Sequence, residues 1–98
     1  MIQLYQLEGF YRVALHAGYA RAARAFPYPI TQPGVYQQVR KLEIDLGQTL
    51  FERIGHDRVA LTGAGRRLFE FCEPFFRDLP DVVRDIEAGL RTATDRPA

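Results

Sequence analysis

The segment of residues 31–46, TQPGVYQQVRKLEIDL, constrains the fold more than any other part of this sequence. It predicts an α-helix, because its apolar residues recur at intervals of four, three and four positions and therefore share one helical face. Thr31 can accept a hydrogen bond from an orphan N–H at the helix start, and Pro33 fits the first turn. Gly47 follows where a left-handed residue commonly ends a helix. The apolar residues are Val35, Val39, Leu42 and Leu46.

The opposite face of this predicted helix is polar and aromatic, and its acidic residues, Glu43 and Asp45, come only in the last turns. A helix that begins with amide and aromatic side chains and continues with basic ones can read the major groove of DNA. An ordinary amphipathic helix with a solvated polar face is the alternative, and the segment alone leaves both open. The face consists of Gln32, Tyr36, Gln37, Arg40 and Lys41.

Two helical segments precede this helix. Residues 3–17 predict a first amphipathic helix, and residues 20–26, ARAARAF, predict a short second one rich in strong helix formers. The two prolines in PYPI, residues 27–30, prevent that second helix from continuing. A short helix, a turn and a helix with an early polar face form a helix-turn-helix.

After Gly47 the pattern changes from helical to strand-like. Residues 50–53 and 58–61 predict a β-hairpin around a four-residue loop at residues 54–57. Such a wing would bring Arg53 and Arg58 to the DNA backbone or minor groove. Alternatively, the hairpin serves only to cover the core.

A long final helix is predicted to begin after Thr62, its N-cap, and its first N–H groups with Arg66 would be free to bind a phosphate. Two apolar lines run along this helix, so it has two surfaces to bury, one against its own domain and one against a partner chain. Pro74 and Pro80 each remove a helical hydrogen bond and predict a kink or a break. The lines are Leu68, Cys72, Phe75, Leu79, Val82, Ile86 and Phe69, Phe76, Val83, Leu90.

Composition predicts a single small globular domain of 98 residues. One cysteine excludes an intramolecular disulfide and a multi-cysteine zinc site, and we expect no metal and no cofactor. No signal sequence or membrane-length apolar run is apparent, so we expect a cytoplasmic protein without membrane contact. No nucleophile–histidine or paired-carboxylate arrangement stands out, so we do not expect an enzyme.

The charge is unevenly distributed, although the net charge is only +1. Residues 12–67 hold nine Arg and Lys against four acidic residues, whereas residues 68–98 hold four Arg against seven acidic residues. A basic body joined to an acidic segment fits a domain that faces phosphates. An uneven division of an ordinary mixed surface is the alternative.

The segments ARAARAF, TQPGVYQQVRKLEIDLGQTLFER and LTGAGRRLFEF together resemble the N-terminal DNA-binding domain of LysR-type transcriptional regulators, over roughly residues 3–90. The resemblance implies a mainly α fold with a small β-hairpin. A winged helix-turn-helix would occupy residues 1–61, a long linker and dimerisation helix residues 62–91, and a flexible tail residues 92–98. It also implies a homodimer that binds AT-rich, nearly palindromic promoter DNA and regulates transcription.

The resemblance assigns two sets of residues. Those expected to contact DNA are Arg21, Thr31, Gln32, Pro33, Tyr36, Gln37, Arg40, Arg53, Arg58, Thr62 and Arg66. Those expected at the dimer interface are Leu68, Cys72, Phe75, Phe76, Leu79, Val82, Val83, Ile86 and Leu90.

The sequence departs from the family pattern at three places. Tyr36 and Gln37 stand where the family usually has serine and arginine, so a guanine preference through arginine is lost while a bidentate contact to adenine remains possible. PYPI lengthens the turn by about two residues relative to the family, and Asp57 in the wing would repel phosphate. With the low net charge, Tyr36 and Asp57 also support an alternative function, a winged-helix module for protein–protein contact with little DNA affinity.

In the family a larger C-terminal region binds a small-molecule effector. That region does not follow in the 98 residues. An excised domain and a free-standing small regulator are both compatible with this.

Overall fold

The computed structural model describes residues 1–91, and the tail predicted at residues 92–98 and the side chain of Leu90 lie outside the described part. The described residues form a mainly α fold with one two-stranded antiparallel hairpin, which confirms the predicted fold class. None of the helices in this part is both long and apolar enough to cross a membrane. The elements are α1 (Leu4–His16), α2 (Tyr19–Arg24), α3 (Gln32–Leu46), β1 (Phe51–Gly55), β2 (Arg58–Leu61) and α4 (Gly63–Arg91).

Helix α3 is bounded by the signals that its sequence carries. The Thr31 hydroxyl accepts a 3.0 Å hydrogen bond from the Gly34 N–H, and Pro33 lies in the first turn. Gly47 ends the helix in the left-handed region at φ 70°, and its N–H donates to the Glu43 carbonyl at 2.8 Å. The predicted helix and both of its caps are therefore confirmed.

The core lies where α1, α2 and α3 cross beneath the hairpin. Side chains from all of these elements are buried in one cluster, so the helix-turn-helix and the hairpin share a core. Leu46 does not join it and is 39% exposed, so the expected apolar line of α3 ends at Leu42. The cluster consists of Phe10, Val13, Ala22, Val35, Val39, Leu42, Leu50 and Val59.

The hairpin differs from its prediction in the loop. The prediction of a four-residue loop at residues 54–57 is wrong. Strand β1 extends to Gly55, so only His56 and Asp57 form the turn. The register shifts between Arg53 and Gly55, and Asp57 has a φ of 55°. A tight two-residue turn requires positive φ, which aspartate tolerates better than most residues.

The hairpin is fastened to the turn between α1 and α2. The Val59 N–H donates to the Ala17 carbonyl at 3.0 Å. At Gly18, an added Cβ would come within 2.6 Å of the Asp57 carbonyl oxygen. The backbones therefore approach too closely for a side chain at this position.

Helix α4 begins at Gly63 and continues through both prolines to Arg91. Of the two outcomes expected at Pro74 and Pro80, a kink or a break, the continuous helix excludes the break. Both prolines are exposed, and each removes one hydrogen bond from the helix, to the carbonyl four residues earlier.

Candidate nucleic-acid interface

The first two turns of α3 present polar and aromatic side chains to solvent. They are exposed because Val35 and Val39 point into the core and turn the intervening positions outward. Tyr36 is the large aromatic residue of this group, and 51% of its surface is exposed. Five residues predicted for DNA contact therefore share one accessible face, namely Thr31, Gln32, Pro33, Tyr36 and Gln37.

Arg40 lies one turn further along α3 and is exposed, as predicted. Its guanidinium is 3.4 Å from the Glu43 carboxylate, so part of its charge is already compensated within the chain. A phosphate contact by Arg40 would compete with this ion pair.

Four arginines predicted for phosphate contact have no acidic partner within residues 1–91, and two of them, Arg53 and Arg58, lie beside Gln32 at the start of α3. Among the ion pairs that the structure records within residues 1–91, none involves them. All four are exposed, and a guanidinium is charged at any physiological pH. Asp57 is the acidic neighbour in the turn, and its carboxylate lies 3.5 Å from the His56 imidazole. The four residues are Arg21, Arg53, Arg58 and Arg66.

An open cleft of about 470 Å³ separates the start of α3 from the hairpin. It brings four predicted residues together, with Gln32, Pro33 and Tyr36 on the helix side and Arg53 on the hairpin side. The cleft therefore brings side chains that can hydrogen-bond a base edge close to a cation that can bind a phosphate.

Tyr19 also lines this cleft and was missed by the sequence analysis. Burial, assisted by the negative charge of Glu43, raises the pKa of Tyr19 above its usual value, so its phenol stays protonated at neutral pH. The sequence signal was weak, an aromatic residue beside Gly18 in the turn between two predicted helices.

Thr62 differs from the other predicted contacts because its hydroxyl is occupied. It accepts from the Gly65 N–H at 3.0 Å and donates to the Thr49 carbonyl at 2.7 Å. Thr62 therefore joins the start of α4 to the segment that precedes the hairpin. Its predicted contact with phosphate stays a prediction.

One side of α4 is covered by the chain's own α1. The Tyr11 ring stacks on Phe69 at 5.9 Å and on Phe76 at 4.9 Å between centroids. Cys72 is 3% exposed on the same side, and Leu68 packs against the core cluster. Three of the residues expected at a dimer interface, Leu68, Cys72 and Phe76, are thus covered within one chain.

The other side of α4 carries a stripe of exposed apolar side chains, which we call the α4 stripe. It includes Phe71, which the sequence analysis did not assign to the interface and which is 75% exposed. Val83 is also exposed beside it. The α4 stripe consists of Phe71, Phe75, Leu79, Val82 and Ile86, spaced four, four, three and four apart.

Among the described residues, no group of three or more His, Cys, Asp or Glu side chains is placed to hold a metal ion.

Comparison with known proteins gives one consistent group of matches. The family model described as "Bacterial regulatory helix-turn-helix protein, lysR family" matches residues 4–66. The RuBisCO operon transcriptional regulator of Allochromatium vinosum is 39% identical over 87 residues, which are 89% of this chain and 28% of that protein. The HTH-type transcriptional regulator CfxR of Cupriavidus necator is 37% identical over 94 residues, 96% of this chain and 27% of that protein.

Solved structures with the same fold include two complexes with DNA. The BenM_DBD/catB site 1 DNA complex has a TM-score of 0.74 at 25% identity, covering 90% of this chain and 94% of that chain. The CbnR_DBD–DNA complex has a TM-score of 0.69 at 30% identity, covering 90% and 98%. The chain spans little more than a quarter of the length of the two curated regulators named above.

Proposed function

Because this chain belongs to the LysR family of bacterial helix-turn-helix regulators, we propose that it binds promoter DNA sequence-specifically and thereby regulates transcription. The observation that carries the proposal is the exposed early face of α3, which lies beside two hairpin arginines, Arg53 and Arg58, that have no acidic partner within residues 1–91. Such a surface combines the groups that read bases with the groups that bind phosphate.

The two kinds of contact have different roles. Gln32, Tyr36 and Gln37 would meet base edges in the major groove, where an amide can bond adenine N6 and N7 together. Arg53 and Arg58 on the hairpin would bind phosphates or enter the minor groove, and they would supply the salt-dependent part of the affinity. Further phosphate or groove contacts are assigned to Arg21, Thr31, Pro33, Arg40, Thr62 and Arg66.

The DNA complexes among the similar structures support this function. Both contain a DNA-binding domain whose fold this chain shares over about nine tenths of its length. The alternative, a winged-helix module that contacts only proteins, is not favoured, because its support was limited to the low net charge, Tyr36 and Asp57. On this proposal the protein acts in the cytoplasm, where bacterial chromosomal DNA lies.

We further propose that the chain binds DNA as a homodimer on AT-rich, nearly palindromic sites. Residues 1–61 would form the DNA-contacting unit and residues 62–91 the pairing helix. The α4 stripe supports this arrangement, because a row of exposed apolar side chains along a helix is stabilised when a second helix covers it. Leu68, Cys72 and Phe76 would then stiffen the helix from its covered side, while the stripe and Val83 meet the partner.

The test is fluorescence anisotropy with a labelled pool of AT-rich duplexes, titrated from low to physiological salt. We expect the logarithm of the association constant to fall linearly with the logarithm of the salt concentration, because phosphate contacts release counterions. The control is Arg84→Ala, an exposed cation on α4 that is paired with Asp81 and lies outside the assigned set, and it should leave the salt dependence unchanged. Absence of binding at low salt by a folded protein would exclude the proposed function.

A further inference from the structure

Four aromatic rings form a continuous chain from the core to the cleft. Phe10 is fully buried, and its ring centroid lies 5.3 Å from that of Phe51 in β1. Phe51 meets the Tyr19 ring edge-on at 6.2 Å, and Tyr19 meets the Tyr36 ring at 5.3 Å and 64°. Tyr19 therefore connects the hairpin to α3 and restricts the orientations that are open to the Tyr36 ring.

Tyr36 keeps half of its surface exposed despite this contact. Its ring lies in the cleft beside Tyr19, Gln32, Pro33 and Arg53. The cleft thus combines the apolar surface of two rings and a proline with one amide and one guanidinium. A tyrosine has only two side-chain torsions, and a ring already held by a neighbour loses little entropy when it meets a ligand.

An A·T base pair offers matching groups in the major groove. Thymine presents its C5 methyl, an apolar group that the other bases lack, and adenine presents N6 and N7 to an amide side chain such as Gln32. A guanidinium at the edge of the same cleft fits the phosphate backbone alongside. The lining of the cleft therefore offers an apolar surface for the thymine methyl group and an amide for adenine, the two groups by which an A·T pair is recognised in the major groove.

We propose that the Tyr19–Tyr36 pair reads the 5-methyl group of a thymine. Tyr36 is the contacting residue, and Tyr19 is a positioning residue that acts through the Tyr36 ring. This inference rests on the proposed DNA binding and deepens it, because it names the group that this part of α3 recognises.

The test replaces thymine by uracil in a bound site. The wild-type chain first selects a site from a randomised duplex pool, and each thymine of that site is then replaced in turn by deoxyuridine, which lacks only the methyl group. We expect one replacement in each half-site to weaken wild-type binding by about fourfold, the value of one buried methyl group. Equal affinity for every substituted duplex would overturn the proposal.

Variants of Tyr36 assign the effect to its ring. Tyr36→Ala should bind the thymine duplex no more tightly than the uracil duplex. The ratio of its affinities for the two duplexes should therefore approach one. Tyr36→Phe is the matched control and should keep the ratio, since the ring rather than the hydroxyl contacts the methyl group. A fourfold ratio that persists in Tyr36→Ala would overturn the assignment.

Variants of Tyr19 test positioning separately from folding. Tyr19→Ala should bring the ratio of the affinities for the thymine and uracil duplexes toward one, and Tyr19→Phe should keep the wild-type ratio. Should Tyr19→Ala unfold, as judged by circular dichroism, Tyr19→Leu provides the same comparison with an apolar side chain but no ring. An unchanged ratio in the folded variant without a ring would overturn the positioning role.

Failure of the proposed function would look different. In that case the wild-type chain would select no site and would bind no duplex at low salt, which overturns both proposals. Selection of a site without sensitivity to uracil overturns the thymine reading alone.

Discussion

The Glu43 carboxylate accepts a 2.7 Å hydrogen bond from the backbone N–H of Leu50. Glu43 is 9% exposed, and this bond joins the last turn of α3 to the residue that precedes the hairpin. The buried carboxylate therefore helps to fix the orientation of α3 relative to β1, the two elements that form the cleft.

Replacement of Glu43 by alanine should lower the free energy of unfolding by about 1–3 kcal/mol, because the buried Leu50 N–H loses its acceptor. Urea unfolding followed by circular dichroism measures the change. Lys41→Ala, an exposed substitution on the same helix, is the control and should leave the midpoint almost unchanged. Coincident curves for Glu43→Ala and the wild type would show that this bond contributes nothing to stability.

Two glycines in the first turn of α4 should differ in how far replacement by alanine changes the stability of the fold. An added Cβ at Gly65 would overlap the Leu50 carbonyl oxygen, whereas nothing lies within 4 Å of one at Gly63. We expect Gly65→Ala to destabilise the fold by about 1–3 kcal/mol, because backbone atoms must move. Gly63→Ala should change stability by less than about 1 kcal/mol. Thermal unfolding compares the two, and equal melting temperatures would contradict the close approach.

Gln37→Ala should weaken binding to a selected site by about 1–3 kcal/mol and have little effect on random DNA, because an amide contact to a base edge discriminates sequence. Anisotropy with both duplexes measures the difference. Gln48, an exposed glutamine beyond the end of α3, offers a matched control as Gln48→Ala. An equal loss on both duplexes would remove Gln37 from the base-reading set.

Arg53→Ala should instead weaken binding to all sequences and reduce the slope of log affinity against log salt by about one. Salt titrations of the wild type and the variant on the same two duplexes give the slopes. A loss confined to the selected site would identify Arg53 as a base-reading residue and contradict its phosphate role.

Substitutions of two adjacent phenylalanines on α4 should have different effects, one on dimer formation and the other on the stability of the fold. Phe75 is half exposed in the α4 stripe, whereas Phe76 stacks on Tyr11. Phe75→Ala should raise the dimer dissociation constant by about tenfold or more, as expected for a central interface residue. Phe76→Ala should mainly lower the stability of the fold, by about 2–4 kcal/mol. Analytical ultracentrifugation measures the dimer dissociation constant, and chemical unfolding measures the stability of the fold. An unchanged dimer dissociation constant in Phe75→Ala would place the interface elsewhere.

The bounds of helix α3 could be predicted because its signals are local, although Leu46 does not join the core as expected. Thr31, Pro33 and Gly47 lie within one turn of the ends that they define, and the spacing of Val35, Val39 and Leu42 is a property of the segment alone. The sequence motifs also predicted that Gln32 and Tyr36 share an exposed face.

Features that depend on distant contacts were not predictable in the same way. The hairpin turn depends on the positive φ of Asp57 and on a register shift, which an apolar pattern does not encode. Two apolar lines on α4 were visible, but which side is covered depends on Tyr11 of α1. Tyr19 escaped notice because its role comes from two rings, Phe51 and Tyr36, that lie far from it in the sequence.

The stacking of Tyr11 on Phe76 also sets a distance scale. Phe76 lies at the middle of the 29-residue α4, so the helix extends beyond it by about 22 Å, at about 1.5 Å per residue. A tilt of about ten degrees at this contact would move the far end of α4 by about 4 Å, which is about one base-pair step of 3.4 Å. In a dimer paired along α4, the stacking of two aromatic rings at mid-helix would therefore govern how far apart the two halves of an operator lie.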